Sequence, residues 1–360
     1  AKIQTLTFKY IDLSERPSAS RDFAQFICNM PHLKNLNFDG QYHDDFYSTS
    51  SSMASSAKIQ TLTFKYIDLS ERPSASRDLA HFIFKMPHLK SLNFCSRVLL
   101  HDDFYSTSSS AASSAKIETL TIISEDLSER SSASRDLAQF ICNMPHLNNL
   151  TLGGQYHDDF YSTTSSMASS AKSDNTSRTL TELTVGGETL RGWQDCGSMF
   201  DNVKRATIKV RSTINYDVIQ RIHLPGATEL TIQTDEYEYE PADFQRIHLP
   251  GATELTIQTD EYEYEPADFH EDLTSLPNAL LNISPQLVKV TFSDLDIGNS
   301  KVELILQAFR SPHNLNHLKT IRFVRCGTHS SVDDVTTAFN EDHVMEVEVE
   351  HGKPYGICFR

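Results

Sequence analysis

The chain has 360 residues, with 48 Asp and Glu against 32 Lys and Arg, and a net charge of −16 at pH 7. Its cations are spread rather than striped, which argues against nucleic acid, whose phosphates require a basic face. No apolar run reaches the ~18 residues of a membrane span, and six cysteines (Cys28, Cys95, Cys142, Cys196, Cys326, Cys358) stand singly with no CxxC pair, as reduced thiols of a cytoplasmic protein do.

From its first residue the chain copies itself. Residues 1–56, 57–114 and 115–170 are three near-identical blocks, and self-similarity at a fixed period marks a repeat architecture. Each block holds two copies of an apolar-x-x-apolar-x-apolar triplet: Ile3, Leu6, Phe8 and Leu33, Leu36, Phe38; Ile59, Leu62, Phe64 and Leu89, Leu92, Phe94; Ile117, Leu120, Ile122 and Leu147, Leu150, Leu152. The x between the last two apolar residues faces the other way on a short strand.

Helices should lie behind these strands. Ser20–Met30 spaces Phe23, Phe26, Ile27 and Met30 as an amphipathic stripe, with Ser20 as N-cap and Pro31 as terminator. The segment 44–57 is poorer, because its serines compete for the backbone; it predicts a short or partly irregular convex stretch. His43, Asp44 and Asp45, recurring at His101 and His157, read as helix-start residues favoured by the helix dipole rather than as a metal site. The serine-rich runs read as solvated surface.

The second half keeps the triplet with less identity: Leu180, Leu183, Val185; Val203, Ala206, Ile208; Ala227, Leu230, Ile232; Ala252, Leu255, Ile257; Leu287, Val290, Phe292; Leu318, Ile321, Phe323; Val344, Val347, Val349. Residues 220–244 recur unchanged as 245–269, one triplet in each. The doubled EYEYEPADF puts Tyr237, Tyr239, Tyr262 and Tyr264 between glutamates; the tyrosines are either binding anchors or the buried side of a strand. A single array of about 13 coils over 1–360 follows, with 1–170 as double repeats and 171–360 as divergent repeats.

Outward strand positions are the expected binding surface. They are Lys34, Asn35, Asn37; Gln60, Thr61, Thr63; Lys90, Ser91, Asn93; Glu118, Thr119, Thr121; and Asn148, Asn149, Thr151 in the blocks. The second half supplies Lys204, Arg205, Lys209, Thr228, Glu229, Thr231, Thr253, Glu254, Thr256, Lys319, Arg322, Glu346 and Glu348. No glycine-rich phosphate loop, nucleophile elbow or HExxH occurs, so neither catalytic residues nor a cofactor or metal is expected.

The phrase MPHLKNLNF (Met30–Phe38), repeated as MPHLKSLNF and MPHLNNLTL, resembles the register of ribonuclease-inhibitor-type leucine-rich repeats. The serine-rich tandem blocks are similar to the C-terminal arrays of NACHT-containing NOD-like receptors of invertebrate deuterostomes. The resemblance implies an α/β horseshoe solenoid with parallel strands on its concave face. It further implies the sensing or autoinhibitory region of an intracellular innate immune receptor, a protein or microbial or danger ligand as partner, and a nucleotide-binding domain upstream. The alternative is a scaffold, adaptor or substrate-receptor array without immune function. One departure stands out. Three residues past the triplet, where the family carries Asn or Cys, this chain has Ile11, Gln41, Ile67, Arg97, Glu125, Gln155 and Glu188, with Cys326 alone in accord. An irregular ladder between coils is therefore expected.

Overall fold

A two-residue alternation makes a strand with one apolar face, and a lone strand cannot bury it; stacking identical strands side by side can. The computed structural model describes residues 2–173, 180–186, 189, 202–210, 224, 226–234, 238–239, 249–259, 268–269, 276–295, 298–310, 315–326 and 346–350. They fall in two compact units, 1–181 and 182–360.

The first unit runs β1 (Thr5–Leu13), α1 (Pro17–Cys28), β2 (Asn35–Tyr42), α2 (Asp44–Met53), β3 (Thr61–Lys65), β4 (Asp68–Leu69), α3 (Pro73–Lys85), β5 (Ser91–Cys95) and β6 (Leu99–Leu100). It continues with α4 (Asp102–Ala111), β7 (Thr119–Leu127), α5 (Ser131–Asn143), β8 (Asn149–Tyr156) and α6 (Asp158–Ser173). Its sheet is parallel in the order β1-β2-β3-β5-β7-β8, so every long strand pairs with the next after a helical crossover. The second unit contains β9 (Glu182–Gly186), β10 (Arg205–Val210), β11 (Glu229–Thr234), β12 (Glu238–Tyr239), β13 (Glu254–Thr259) and β14 (Asp268–Phe269). After these come α7 (Leu276–Ile283), β15 (Lys289–Ser293), α8 (Gly298–Arg310), β16 (Thr320–Val324) and β17 (Glu346–Glu350). Its sheet is parallel in the order β9-β10-β11-β13-β15-β16-β17. This is an α/β leucine-rich repeat solenoid.

The triplets set the register. Leu6, Leu36, Leu62, Leu92, Leu120 and Leu150 pair in one row, with Phe8, Phe38, Phe64, Phe94, Ile122 and Leu152 in the next. Leu36 and Leu92 are wholly buried and Leu150 is 1% exposed; full burial of such a side chain contributes roughly 1.5–3 kcal/mol. Stacked rings run down the core, Phe38 on Phe64 at 5.4 Å and Phe64 on Phe94 at 5.6 Å. Phe292 lies on Phe323 at 5.4 Å in the second unit. The identical duplicates also pair in register, Glu229 to Thr234 against Glu254 to Thr259. Val344 lies outside the described residues.

The helices differ from the sequence expectation in two ways. The first begins at Pro17, three residues before Ser20, and its N-cap is Arg16. Proline is pre-organised for the first helical position because its missing N–H is not needed there. Ser20 is instead a buried stitch: its hydroxyl donates to Leu13 O at 3.1 Å and accepts from His43 N at 3.2 Å. Ser76 and Ser134 repeat both bonds in the next blocks. The stripe itself holds: Phe82, Ile83 and Met86, and Phe140, Ile141 and Met144, are buried in the second and third blocks, and only in the first block is the matching Phe26 55% exposed. The second difference is at 44–57, where α2 forms ten helical residues and a 3₁₀ turn over Ala54–Ser56. Its exposed serines turn their hydroxyls onto their own helix, Ser52 to Thr49 O at 2.7 Å and Ser56 to Met53 O at 2.8 Å. Burial of Phe46 and Tyr47 then decides the conformation against weak propensity.

Candidate binding surface

Each coil turns two corners, and both are built from backbone. On entry to the strand, one carbonyl accepts two amides from the following coil. Lys34 O takes Gln60 N at 2.7 Å and Thr61 N at 3.0 Å, and Gln60, Lys90 and Glu118 repeat the arrangement. In the second unit Lys204, Thr228, Thr253 and Val288 do the same. On exit, the residue two past the triplet is left-handed at Tyr10 (φ 57°), Tyr66 (54°), Ser96 (55°), Asp294 (59°) and Arg325 (51°), with Gly40 at 145° and Gly154 at 143°, whereas Val210, Thr234 and Thr259 continue their strands. At Gly40 a Cβ would stand 1.9 Å from Ile11 O, so no other residue fits there unchanged. The middle block is two residues longer at this corner (CSRVLL against DGQY), and a second left-handed residue, Arg97 (φ 55°), absorbs the addition.

The ladder expected to be irregular is replaced by other groups. Gln41 Nε2 donates to Tyr66 O at 2.6 Å, and its Oε1 accepts from Asp68 N at 3.3 Å, tying two coils as an asparagine would. Ile67 is buried at the same position. Cys326 Sγ lies 3.3 Å from Phe292 O in the preceding coil.

These corners hold the outward side chains in rows. In the first unit one row is Thr5, Asn35, Thr61, Ser91, Thr119, Asn149, and the next is Thr7, Asn37, Thr63, Asn93, Thr121, Thr151. Neighbouring members bond across strands: Asn35 Nδ2 to Thr5 Oγ1 at 3.1 Å, Asn37 Nδ2 to Thr7 Oγ1 at 3.1 Å, and Asn93 Nδ2 to Thr63 Oγ1 at 3.3 Å. Beside the rows lie Lys34, Lys90 and Asn148, one residue before each strand; Lys34 and Lys90 are exposed and Asn148 is half-buried. Lys90 pairs with Glu118 at 2.7 Å.

In the second unit the first row is Glu182, Arg205, Glu229, Glu254, Lys289, Thr320, Glu346. The second is Thr184, Thr207, Thr231, Thr256, Thr291, Arg322, Glu348. Arg205 pairs with Glu182, and Arg322 with Glu350 at 3.0 Å. Lys204 and Lys319 precede their strands and are exposed. The side chains of Tyr237, Tyr239, Tyr262 and Tyr264 lie outside what the structure describes, as do Trp193, Cys196 and Cys358.

Electrostatics separate the two rims of the first unit. At the helix starts, His43 Nδ1 accepts from Asp45 N at 3.2 Å, and His101 and His157 repeat this cap. Arg72 pairs with Asp44, Arg130 with Asp102, and Arg21 with Asp45 at 2.6 Å. Partial burial alone would raise the Asp102 carboxyl, but hydrogen bonds from Arg130 and Ser132 outweigh it and hold the carboxyl below its usual range. Among the described residues, no group of three or more His, Cys, Asp or Glu could hold a metal ion. Cys28 and Cys326 are buried free thiols, and burial pushes them to about 11 and about 12. A feature that the triplet spacing does not mark is a cleft at the strand-entry rim of the middle block, between the end of α3 and Ile117. Only the block-to-block change from Cys28-Asn29 to Phe84-Lys85 hints at it.

No protein-family model and no curated protein matches the chain. Among solved structures, the TLR13–ssRNA13 complex is similar over 98% of this chain and 56% of its own, at 11% identity and a TM-score of 0.38. A leucine-rich repeat protein of Leptospira interrogans is similar over 94% of this chain and 99% of its own, at 8% identity and a TM-score of 0.27. The chain thus spans just over half the length of the first. The architecture rests on strand pairing and triplet burial rather than on these likenesses.

Proposed function

We propose that the chain is a non-enzymatic protein- or ligand-binding module, the sensing or autoinhibitory region of a cytoplasmic innate immune receptor of the NACHT type. The observation that carries the binding reading is the pair of outward rows in the first unit. All twelve positions are Thr, Asn or Ser, without a charge or an aromatic ring, in a chain that is 22% charged. Such a face offers many weak donors and acceptors at fixed spacing and no anchor of the Trp, Tyr or Arg kind, so affinity accumulates over coils. The absence of cations from these rows weighs against phosphate backbones.

The surface is tested by panning a displayed peptide and protein-domain library on the chain, with N37R/N93R/T151R as the paired control. Binders should be lost on the control; binders indifferent to it would sink the reading. The receptor assignment rests on the resemblance of the tandem blocks and is tested by the reading frame upstream of residue 1, which should encode a P-loop followed by helices. An F-box-like segment there would instead make the chain a substrate receptor. The compartment is tested by counting thiols on denatured, unreduced protein, where six are expected and two or more protected would place it outside the cytoplasm.

A further inference from the structure

The two rims of the first unit use their cations differently. At the helix-start rim Arg21, Arg72, Arg77, Arg130 and Arg135 each pair with an aspartate. At the strand-entry rim Lys2, Lys34, Lys58, Lys85 and Lys116 are exposed and none has a carboxylate partner among the described residues. Lys58 touches only the His88 ring, at 3.5 Å. The one carboxylate on that rim among the described residues, Glu118, is taken by Lys90 at 2.7 Å.

Between two of the unpaired lysines lies the cleft. Phe84 is its half-buried apolar wall, Ile83, Met86 and Ile117, each at most 5% exposed, form its floor, Lys85 and Lys116 stand at its sides, and its volume is about 270 Å³. That is just under the ~300 Å³ at which small-molecule pockets begin, and it suits a single large side chain better than a cofactor. Phe84 is held edge-on against Phe140 at 5.5 Å, which fixes the ring. Lysines near helix ends can simply complement the dipole, but that role would serve all three blocks alike. Blocks one and three carry Cys28-Asn29 and Cys142-Asn143 where the middle block carries Phe84-Lys85, in a stretch otherwise almost unchanged. The aromatic wall and the second cation arrive together and only here.

We propose that this cleft is a docking site for an acidic peptide segment that seats one apolar side chain among Ile83, Phe84, Met86 and Ile117 while its flanking carboxylates reach Lys85 and Lys116. The site is on the rim, separate from the outward rows of the sheet. A capped, fluorescein-labelled peptide EYEYEPADF, whose acid–aromatic alternation occurs twice in this chain, is the probe; the fully amidated QYQYQPANF is its control. Fluorescence anisotropy with the whole chain should show binding of the first and not the second, weakening as salt rises.

The variant F84C/K85N restores the pair that blocks one and three already fold with, so its loss of binding would not be a folding defect. It should weaken the probe about tenfold, the sum of one apolar contact and one exposed ion pair. K116E should weaken it to a similar degree, and S52A, on α2, should leave it unchanged. Equal binding of both peptides, binding that survives F84C/K85N, or no binding at all would overturn the proposal. Capture of phosphatidylserine vesicles through the same residues, with no peptide binding, would overturn it in favour of a lipid surface.

Discussion

In residues 1–181 the first two outward strand rows hold only Thr, Asn and Ser, with Asp39 and Lys65 in the row beyond, whereas the matching first row in residues 182–360 holds Glu182, Arg205, Glu229, Glu254, Lys289 and Glu346. The charge follows the same division. The first unit has 17 Lys and Arg against 19 Asp and Glu, net −2; the second has 15 against 29, net −14. Yet the inward residues and the two-amide carbonyl are common to both, and the left-handed corner recurs at Asp294 and Arg325. Folding uses the half of each coil that points in, so the outward half is chemically unconstrained by the fold and is where a partner can be read.

Removing 245–269 should have the largest effect that still spares the fold. One coil, with β13 and β14, and one interface are lost, and circular dichroism and sedimentation should report a soluble, folded chain less stable by those two contributions. An unfolded or aggregated product would mean that the two units do not share one plan. Next comes Leu92→Ala, which opens a cavity in a wholly buried row and should cost about 2–5 kcal/mol in urea unfolding. Leu230→Ala, at the same place in the second unit, should match it. A cost below about 0.5 kcal/mol, typical of surface sites, would break the equivalence.

Gly40→Ala should cost about 1–3 kcal/mol, because its φ of 145° and the approach to Ile11 O both exclude a Cβ. Gly153→Ala, whose Cβ would meet Ile123 at an ordinary 3.6 Å, is the control and should be close to neutral. A smaller effect is due at Arg130→Ala. The depressed Asp102 carboxyl stabilises the fold above its unfolded pKa, and that contribution disappears as pH falls through the lower folded value. Both side chains are 30% or more exposed, so the wild-type term is under about 1 kcal/mol. The variant should lose it, showing lower stability at pH 7 and a weaker dependence between pH 5 and 2 in acid titrations followed by circular dichroism. The smallest change is Glu254→Thr. It removes a carboxylate that lies opposite Glu229 on one side and Lys289 on the other, so relieved repulsion and lost attraction offset and the change should stay within about 0.5 kcal/mol. A larger destabilisation there would show that the duplicated glutamates are held by something other than tolerance.

The fold was legible because the triplet is a burial signal repeated at a nearly constant interval, with its last two apolar positions on a strand in every coil; the first, with Ile3 46% exposed and Leu6 and Phe8 half-buried, is not closed over. What escaped was whatever depends on a corner rather than a period. Ser20 looks like an N-cap to any reading based on residue type; only Pro17, three residues earlier, marks the true start, and block three lacks even that. The left-handed corner is filled by Tyr, Ser, Asp, Arg or Gly, so no residue type announces it. Gln41 does the work of an asparagine from the same register position but with a longer arm. The outward rows were assigned correctly in position because alternation fixes their facing. Their chemistry was readable but their partner was not, since small neutral polar side chains are compatible with many surfaces. The rim cleft combines residues 32 to 34 positions apart, Ile83 and Phe84 with Lys116 and Ile117, which no window of one coil contains.

The corner that takes in Ser96 and Arg97 has a consequence at the level of the gene. A 58-residue block and two 56-residue blocks present near-identical ends to their neighbours, because the extra pair is swallowed before the next helix begins. Misaligned pairing of such blocks during DNA recombination would therefore yield longer and shorter proteins whose joints already exist in the parent. Each product would inherit a tested junction while changing the number and order of its outward faces, so that diversity in recognition is generated by copying rather than by point substitution.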